Sequence, residues 1–299
     1  GPSGYMPPTT NVKDNLDLNI SGVHLNLFTV AGETRDVLVI WLPEKRLMVQ
    51  IANLYEAFPA VTTLRGAFPR NTLDYIDSID FYRSLNPEYL VLTHGPHPVL
   101  VGEENVSRTL TNYRDAIQFV HDQTVQYMNK GLTPGEIKEL VKLPPHLAED
   151  PYLQEVYGQV DRDIYEIFWS YRGYFTGKCR DLYTQSPTEE AEMAAELAGG
   201  VTELADKARQ ALDKGKAEWA LELADDVLLL DPENAGARET KNLSVISLAE
   251  ETFNAQERNY LLSEYLLETG QVKVEPLEFA GIDDRFVPFM PMNDLMRIM

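Results

Sequence analysis

The sequence predicts an α/β segment followed by an all-α segment. Apolar runs of strand length fill the first hundred residues, and one strand, helix and strand succession lies among them. From about Glu103 onward, apolar residues recur at steps of three or four between helix-capping residues.

Val23–Val30, VHLNLFTV, alternates apolar and polar residues as a half-buried strand does. DVLVIWLP (36–43) and RLMVQIA (46–52) are continuous apolar runs parted by a Pro-Glu-Lys turn, which suits neighbouring buried strands. NTLDYIDSIDFYRSL repeats apolar residues at helical spacing through Leu73, Ile76, Ile79, Tyr82 and Leu85, and EYLVLTH returns as a strand that runs into His94. In the second segment, Leu110, Tyr113, Ile117, Val120, Thr124 and Met128 form one helical stripe, with Gly131 placed as its stop. Thr133, Pro134 and Glu136 form a capping-box signature, and Ser186, Pro187 and Glu189 repeat it. Residues 205–239 read as a helical hairpin and the start of a further helix at Asp231-Pro232, in a pattern similar to one tetratricopeptide unit.

The 299 residues carry 26 Lys+Arg against 47 Asp+Glu, a formal charge of −21. Such a surface repels phosphate backbones and anionic headgroups, so neither nucleic acid nor an acidic membrane is an expected partner. No apolar run approaches membrane-spanning length. Cys179 is the single cysteine, which rules out an internal disulfide or a cysteine zinc knuckle and is read as structural. Sequons at Asn19, Asn105 and Asn242 tilt towards glycosylation and secretion. The amino end, GPSGYMPPTT, has no signal peptide and reads as a tag scar, a processing site or the middle of a longer chain.

Several segments, in order, are similar to alkyl sulfatases of the metallo-β-lactamase superfamily: AGETRDVLVIWLPEK, NLYEAFPAVTTLRGA, NYRDAIQFVHDQTVQYMNKGLTPGEI and VKLPPHLAEDPYLQEVYGQV. The strings VHDQT, NKGLTP and KLPPHLA are the specific part of this resemblance. It implies a partial metallo-β-lactamase-like αββα layer structure over residues 1–110 and a helical, tetratricopeptide-like dimerisation domain over 111–270. Residues 271–299 would be a linker and the start of a sterol-carrier-like domain. It also implies a homodimer through the helical domain and chemistry in which two zinc ions activate water beside an alkyl sulfate. Two metals suit that reaction because one supplies hydroxide while both hold charge developing on oxygen.

In the family the metal ligands come from a His-x-His-x-Asp-His loop, carboxylates after later strands, and a final His. None of His24, His94, His97, His121 and His146 falls in the loop pattern, which lies upstream in relatives. The first carboxylate position is occupied by Ala52, in Ile51-Ala52-Asn53, and an alanine cannot ligate. The second is occupied by Asn71, after Arg70, and a neutral amide is a weak ligand. Only His94 matches, in a loop about two residues longer than in relatives. Arg65 and Tyr157 fall in the substrate region, where Asp161 adds a carboxylate that disfavours an anion; Glu33, Thr34 and Asp36 retain the family look.

Two readings of His94 follow: a surviving metal ligand, or a strand-end imidazole hydrogen-bonded locally. Ligand counting favours the second. His97 is a possible substitute ligand. Glu56, four residues after Ala52, would bring a carboxylate towards the site if a turn began there but is expected to face solvent. His121 is expected to pack or cap a contact on its helix and His146 to fix a Pro-Pro turn. The Met- and Phe-rich stretch from Phe286 to Met299 reads as the edge of a further domain. The expected function is a non-catalytic dimeric scaffold or ligand-binding component with a degenerate metal site and no cofactor. The alternative is a segment of a zinc-dependent alkyl sulfate hydrolase whose histidine loop lies on another chain or a cleaved N-terminal fragment. A hydrophobic small molecule in the remnant pocket is a third possibility.

Overall fold

A computed structural model of the chain describes residues 8–64, 66 and 68–273. Arg65 and the Met- and Phe-rich stretch therefore lie outside the described residues. The described residues pack as two compact units, the first ending at Ser186 and including Thr252–Arg258, the second comprising Pro187–Glu251 and the residues from Asn259 onward to 273. One helix of 27 residues, Glu103–Asn129, lies wholly within the first unit and enters its core.

The first unit is built on a six-stranded sheet in sequential order: β1 (Asn15–Ile20), β2 (Val23–Val30), β3 (Val37–Leu42), β4 (Leu47–Gln50), β5 (Tyr89–Val91) and β6 (Val99–Val101). All neighbours are antiparallel except β4 and β5, which α1 (Thr72–Ser84) joins as a crossover. Alternation sorts the two faces. Trp41, Met48, Leu90 and Leu100 stand in one cross-strand row and are buried beneath α1 and α2 (Glu103–Asn129). On the other face, Leu16, Leu27, Ile40, Val49, Val91 and Val99 form a single apolar row across all six strands, with none of its members fully buried.

Tyr75, Ile76, Ile79 and Tyr82 of α1 and Val106, Leu110, Tyr113, Ile117 and Val120 of α2 complete this core. α3 (Pro134–Leu140), the short α4 (Pro145–Ala148) and α5 (Val160–Arg172) extend it, Ile164, Ile167 and Phe168 entering from α5. Thr133 caps α3 as its sequence foretells, with Glu136 closing the capping box at 2.8 Å. Strands β1 and β6 were not read from the sequence. Each is an edge strand, and β6 has only three residues, too few for periodicity to declare itself.

The second unit contains α6 (Pro187–Ala198), α7 (Val201–Asp213), α8 (Ala217–Leu230), α9 (Ala235–Glu251) and most of α10 (Ala255–Glu268). Its core is alanine-rich: Ala195, Ala208, Ala224 and Ala237 let helices approach closely around Leu204, Leu223 and Val227. Among the described residues no helix is long and apolar enough to cross a membrane.

Replacing Thr133 with Ala removes one half of the α3 capping box. Urea denaturation is expected to show a loss of about 1 kcal/mol with an unchanged slope.

Candidate functional site: a cleft at the ends of β4 and β5

The β2–β3 loop and the segments that follow β4 and β5 meet at one end of the sheet. There they enclose a cleft of about 630 Å³ lined by Glu33, Thr34, Tyr55, Glu56, Ala57, Arg70, His94, Gly95 and Tyr157. Its main wall is the long β4–α1 connection, residues 51–71, a length that ordinary connections do not reach. Buried polar groups fold that wall. Gln50 Oε1 accepts the backbone N–H groups of Asn53 and Leu54 at 2.9 and 3.0 Å. The fully buried Asn53 amide accepts from Glu33 N at 2.9 Å and donates to Ala31 O at 2.9 Å and Tyr82 Oη at 3.1 Å. Tyr75 Oη donates to the Asn53 carbonyl at 2.6 Å. Gly32 makes room for this amide, since a Cβ there would lie 2.1 Å from Asn53 Oδ1.

Deeper in the wall sits Arg70, only 5% exposed. Its guanidinium pairs with Glu33 Oε1 at 2.6 Å and donates to the Ala60 carbonyl, while its Nε is buried without a hydrogen-bond partner. Tyr55 Oη accepts from Ala60 N at 3.0 Å, and burial pushes this phenol above its usual range, so it stays protonated. Asp163 of α5 accepts from Val61 N at 2.9 Å and from Thr62 N. Burial raises the Asp163 carboxyl well above the ordinary range, against the opposing pull of those two N–H groups and Arg70. The Tyr157 ring meets Tyr55 edge-on at 5.2 Å. Its neighbour Gly158 donates to Phe58 O at 3.0 Å, and a Cβ on Gly158 would fall 2.1 Å from the Pro59 carbonyl oxygen.

The sequence-derived candidates fare unequally in this geometry. His94 lines the cleft, but β5 ends at Val91 and the exposed His94 ring makes no hydrogen bond among the described residues, so the locally bonded strand-end imidazole is not what is found. Ala52 lies beside the same loop, its N–H on Thr93 Oγ1 at 3.3 Å, with a left-handed backbone at φ +66°. Asn71 is the N-cap of α1, its Oδ1 accepting from Leu73 N and Asp74 N at 2.9 and 3.1 Å. Glu56 does not face solvent as expected. Its carboxylate, 16% exposed, chelates the His97 ring at 2.9 Å and the His97 N–H at 3.1 Å, fixing the loop that carries His94.

Away from the cleft, His121 bridges Asp122 and Tyr171 Oη at 2.8 Å each, and His146 is exposed with no side-chain hydrogen bond among the described residues. Asp161 faces Lys142 at 3.9 Å and does not line the cleft. Asn19 sits in the exposed β1–β2 hairpin, whereas Asn105 and Asn242 lie on α2 and α9, where Ser244 of the third sequon is buried. Cys179 is exposed, which removes a packing role.

Among the described residues no three His, Cys, Asp or Glu side chains converge on a point where a metal could sit. In the cleft, Glu33 is committed to Arg70 and Glu56 to His97, leaving one imidazole. These donors do not by themselves fit a zinc centre, which takes three or four ligands per ion.

Asn53→Ala strips the wall of three side-chain bonds, and a loss of about 3 kcal/mol in urea denaturation is expected. Asp163 gives a pH signature. Its folded pKa lies above the unfolded value near 3.8, so its contribution is complete below that pH and is lost as pH rises towards the folded value. Denaturation at successive pH values should therefore show the wild type losing stability relative to Asp163→Asn on going from about pH 4 towards neutrality.

Residues 133–269 match the family model described as alkyl sulfatase dimerisation. A linear primary-alkylsulfatase from a Pseudomonas species is 38% identical over 281 residues, 92% of this chain and 53% of that protein. An (R)-specific secondary-alkylsulfatase, also from Pseudomonas, is 30% identical over 250 residues, 82% of this chain and 37% of that protein. The solved structure of the stereoselective inverting sec-alkylsulfatase Pisa1 from Pseudomonas superposes with a TM-score of 0.82 at 27% identity, covering 90% of this chain and 43% of that one. The chain thus spans about half the length, or less, of the curated relatives it matches. With likenesses that run through both its sheet and its helical segment, the chain belongs to the alkylsulfatase family.

Proposed function

We propose that this chain is a homodimeric, alkylsulfatase-derived scaffold whose cleft no longer assembles a zinc centre and does not hydrolyse sulfate esters. The observation that carries the reading is the fate of the two carboxylate positions. One bears the methyl of Ala52, and at the other the Asn71 oxygen is spent on capping α1. An amide oxygen already accepting two N–H bonds is a poor donor to a hard cation. The pairing of Glu33 with Arg70 supports the reading further, because it engages a carboxylate that lines the cleft. What the cleft keeps is a half-apolar wall of Tyr55, Ala57 and Tyr157, suited to an apolar small molecule. A secreted location, with Asn19 the most accessible sequon, belongs to the same proposal.

A second reading rests on the outer face of the sheet. The row from Leu16 to Val99 is wholly apolar yet incompletely covered, as in one sheet of a two-sheet sandwich. On this reading a complementary N-terminal segment, on the same or another chain, covers the row and brings the histidine loop to the cleft.

Zinc content and hydrolysis of a medium-chain alkyl sulfate, each with and without chelator, separate the two in native material with every co-purifying chain retained. The scaffold predicts well below one zinc per chain and no chelator-sensitive turnover. About two zinc ions per chain together with turnover would establish the second reading in its place.

A further inference from the structure

We propose that Tyr171, His121 and Asp122 form a base-activated phenol, a covalent acceptor site for activated acyl groups. The site uses none of the residues that line the cleft. His121 belongs to the middle of α2, and Tyr171 lies 50 residues later in the last turn of α5. Packing of the two helices in the core of the first unit brings the rings together, 5.8 Å between centres and inclined at 52°.

The partners fix where the hydrogens lie. A carboxylate only accepts, so His121 Nδ1 donates to Asp122 Oδ1 at 2.8 Å. His121 Nε2 is left with its lone pair, and at 2.8 Å the Tyr171 hydroxyl donates to it. Nucleophile, base and orienting carboxylate thus stand in the order that activates a hydroxyl for acyl transfer. With both ring nitrogens engaged and only 7% of the residue exposed, the imidazole is held to this one arrangement. Tyr171 itself is 50% exposed, which leaves a face for an incoming electrophile.

The transfer balances within these groups. Tyr171 Oη attacks the acyl carbon and forms the C–O bond of an aryl ester as the bond to the leaving group breaks. The phenol proton passes to His121 Nε2, and Asp122 and the negative end of α5 steady the imidazolium. His121 then gives that proton to the departing group. A neutral donor with a good leaving group suits the site, an ester, thioester or acyl azole. An anionic donor is disfavoured by Asp122 and by the formal charge of −21.

N-acetylimidazole is the simplest such donor. Limited acetylation of the 299-residue chain, followed by peptide mapping, compares its tyrosines within one sample. Tyr174, Tyr183 and Tyr260 are 75%, 78% and 61% exposed, and their hydroxyls have no hydrogen-bond partner among the described residues. Exposure alone ranks Tyr171 last of the four. Activation ranks it first, by about tenfold or more. His121→Phe keeps a ring in the core and removes the base, and Tyr171 is then expected to react no faster than the other three. A hydrogen bond that merely held Tyr171 in place would give the opposite sign, since freeing the hydroxyl speeds its reaction. Tyr171 no faster than Tyr174 in the wild type, or made faster by His121→Phe, overturns the proposal. Should His121→Phe lose its helical signal, Asp122→Ala at an exposed position removes the orienting carboxylate and carries the same test, slower Tyr171 acetylation supporting the proposal and faster overturning it.

Discussion

The fully buried Asn53 amide is the constraint on which the cleft depends. It joins the β2–β3 loop to the β4–α1 connection through Ala31 and Glu33, and both to α1 through Tyr82. A buried amide is costly unless its donors and acceptor are all engaged, and here they are. Satisfying it fixes the entry of the long connection, so that everything downstream of it, from Tyr55 to Arg70, starts from one conformation. Gly32 is the matching concession on the other side, because no residue with a Cβ could lie against that amide.

The electrostatics of the cleft follow from that placement. Arg70 is a buried cation in a chain with a large acidic surplus, and Glu33 is drawn onto it at 2.6 Å. The pair neutralises the deepest part of the wall, while the Asp163 carboxyl, raised by burial against the opposing pull of Arg70, holds backbone N–H groups instead. A small anion entering the cleft would have to displace Glu33 before it reached the guanidinium.

Strands β2, β3 and β4, the crossover helix and the long helices after Glu103 were legible because their apolar spacing is local and repeated over several turns or pleats. The αα pairing of α7 and α8 was legible from its similarity to one tetratricopeptide unit. The network around Asn53 was not, since its partners lie 20 to 29 residues away and no periodicity announces them. Asn71 was read as a lost ligand, although a local signal was present: an asparagine directly before an amphipathic stretch is a favoured N-cap. Glu56 was placed in solvent because nothing in its neighbourhood shows that the His97 loop returns to it. The left-handed backbone of Ala52 was equally invisible, as alanine carries no turn preference that would disclose it.

The close backbone approach of Gly158 to Pro59 has a mechanical consequence. Two residues after that contact α5 begins, and its thirteen residues run about 20 Å to Arg172. One end of this helix is therefore clamped to the wall of the cleft, without side-chain padding to absorb displacement, and the other displays Trp169. Its middle is locked by Ile164, Ile167 and Phe168 in the core, so it behaves as a strut. A side chain added at Gly158 would therefore have to move the cleft wall or the whole of α5, since neither can give way alone.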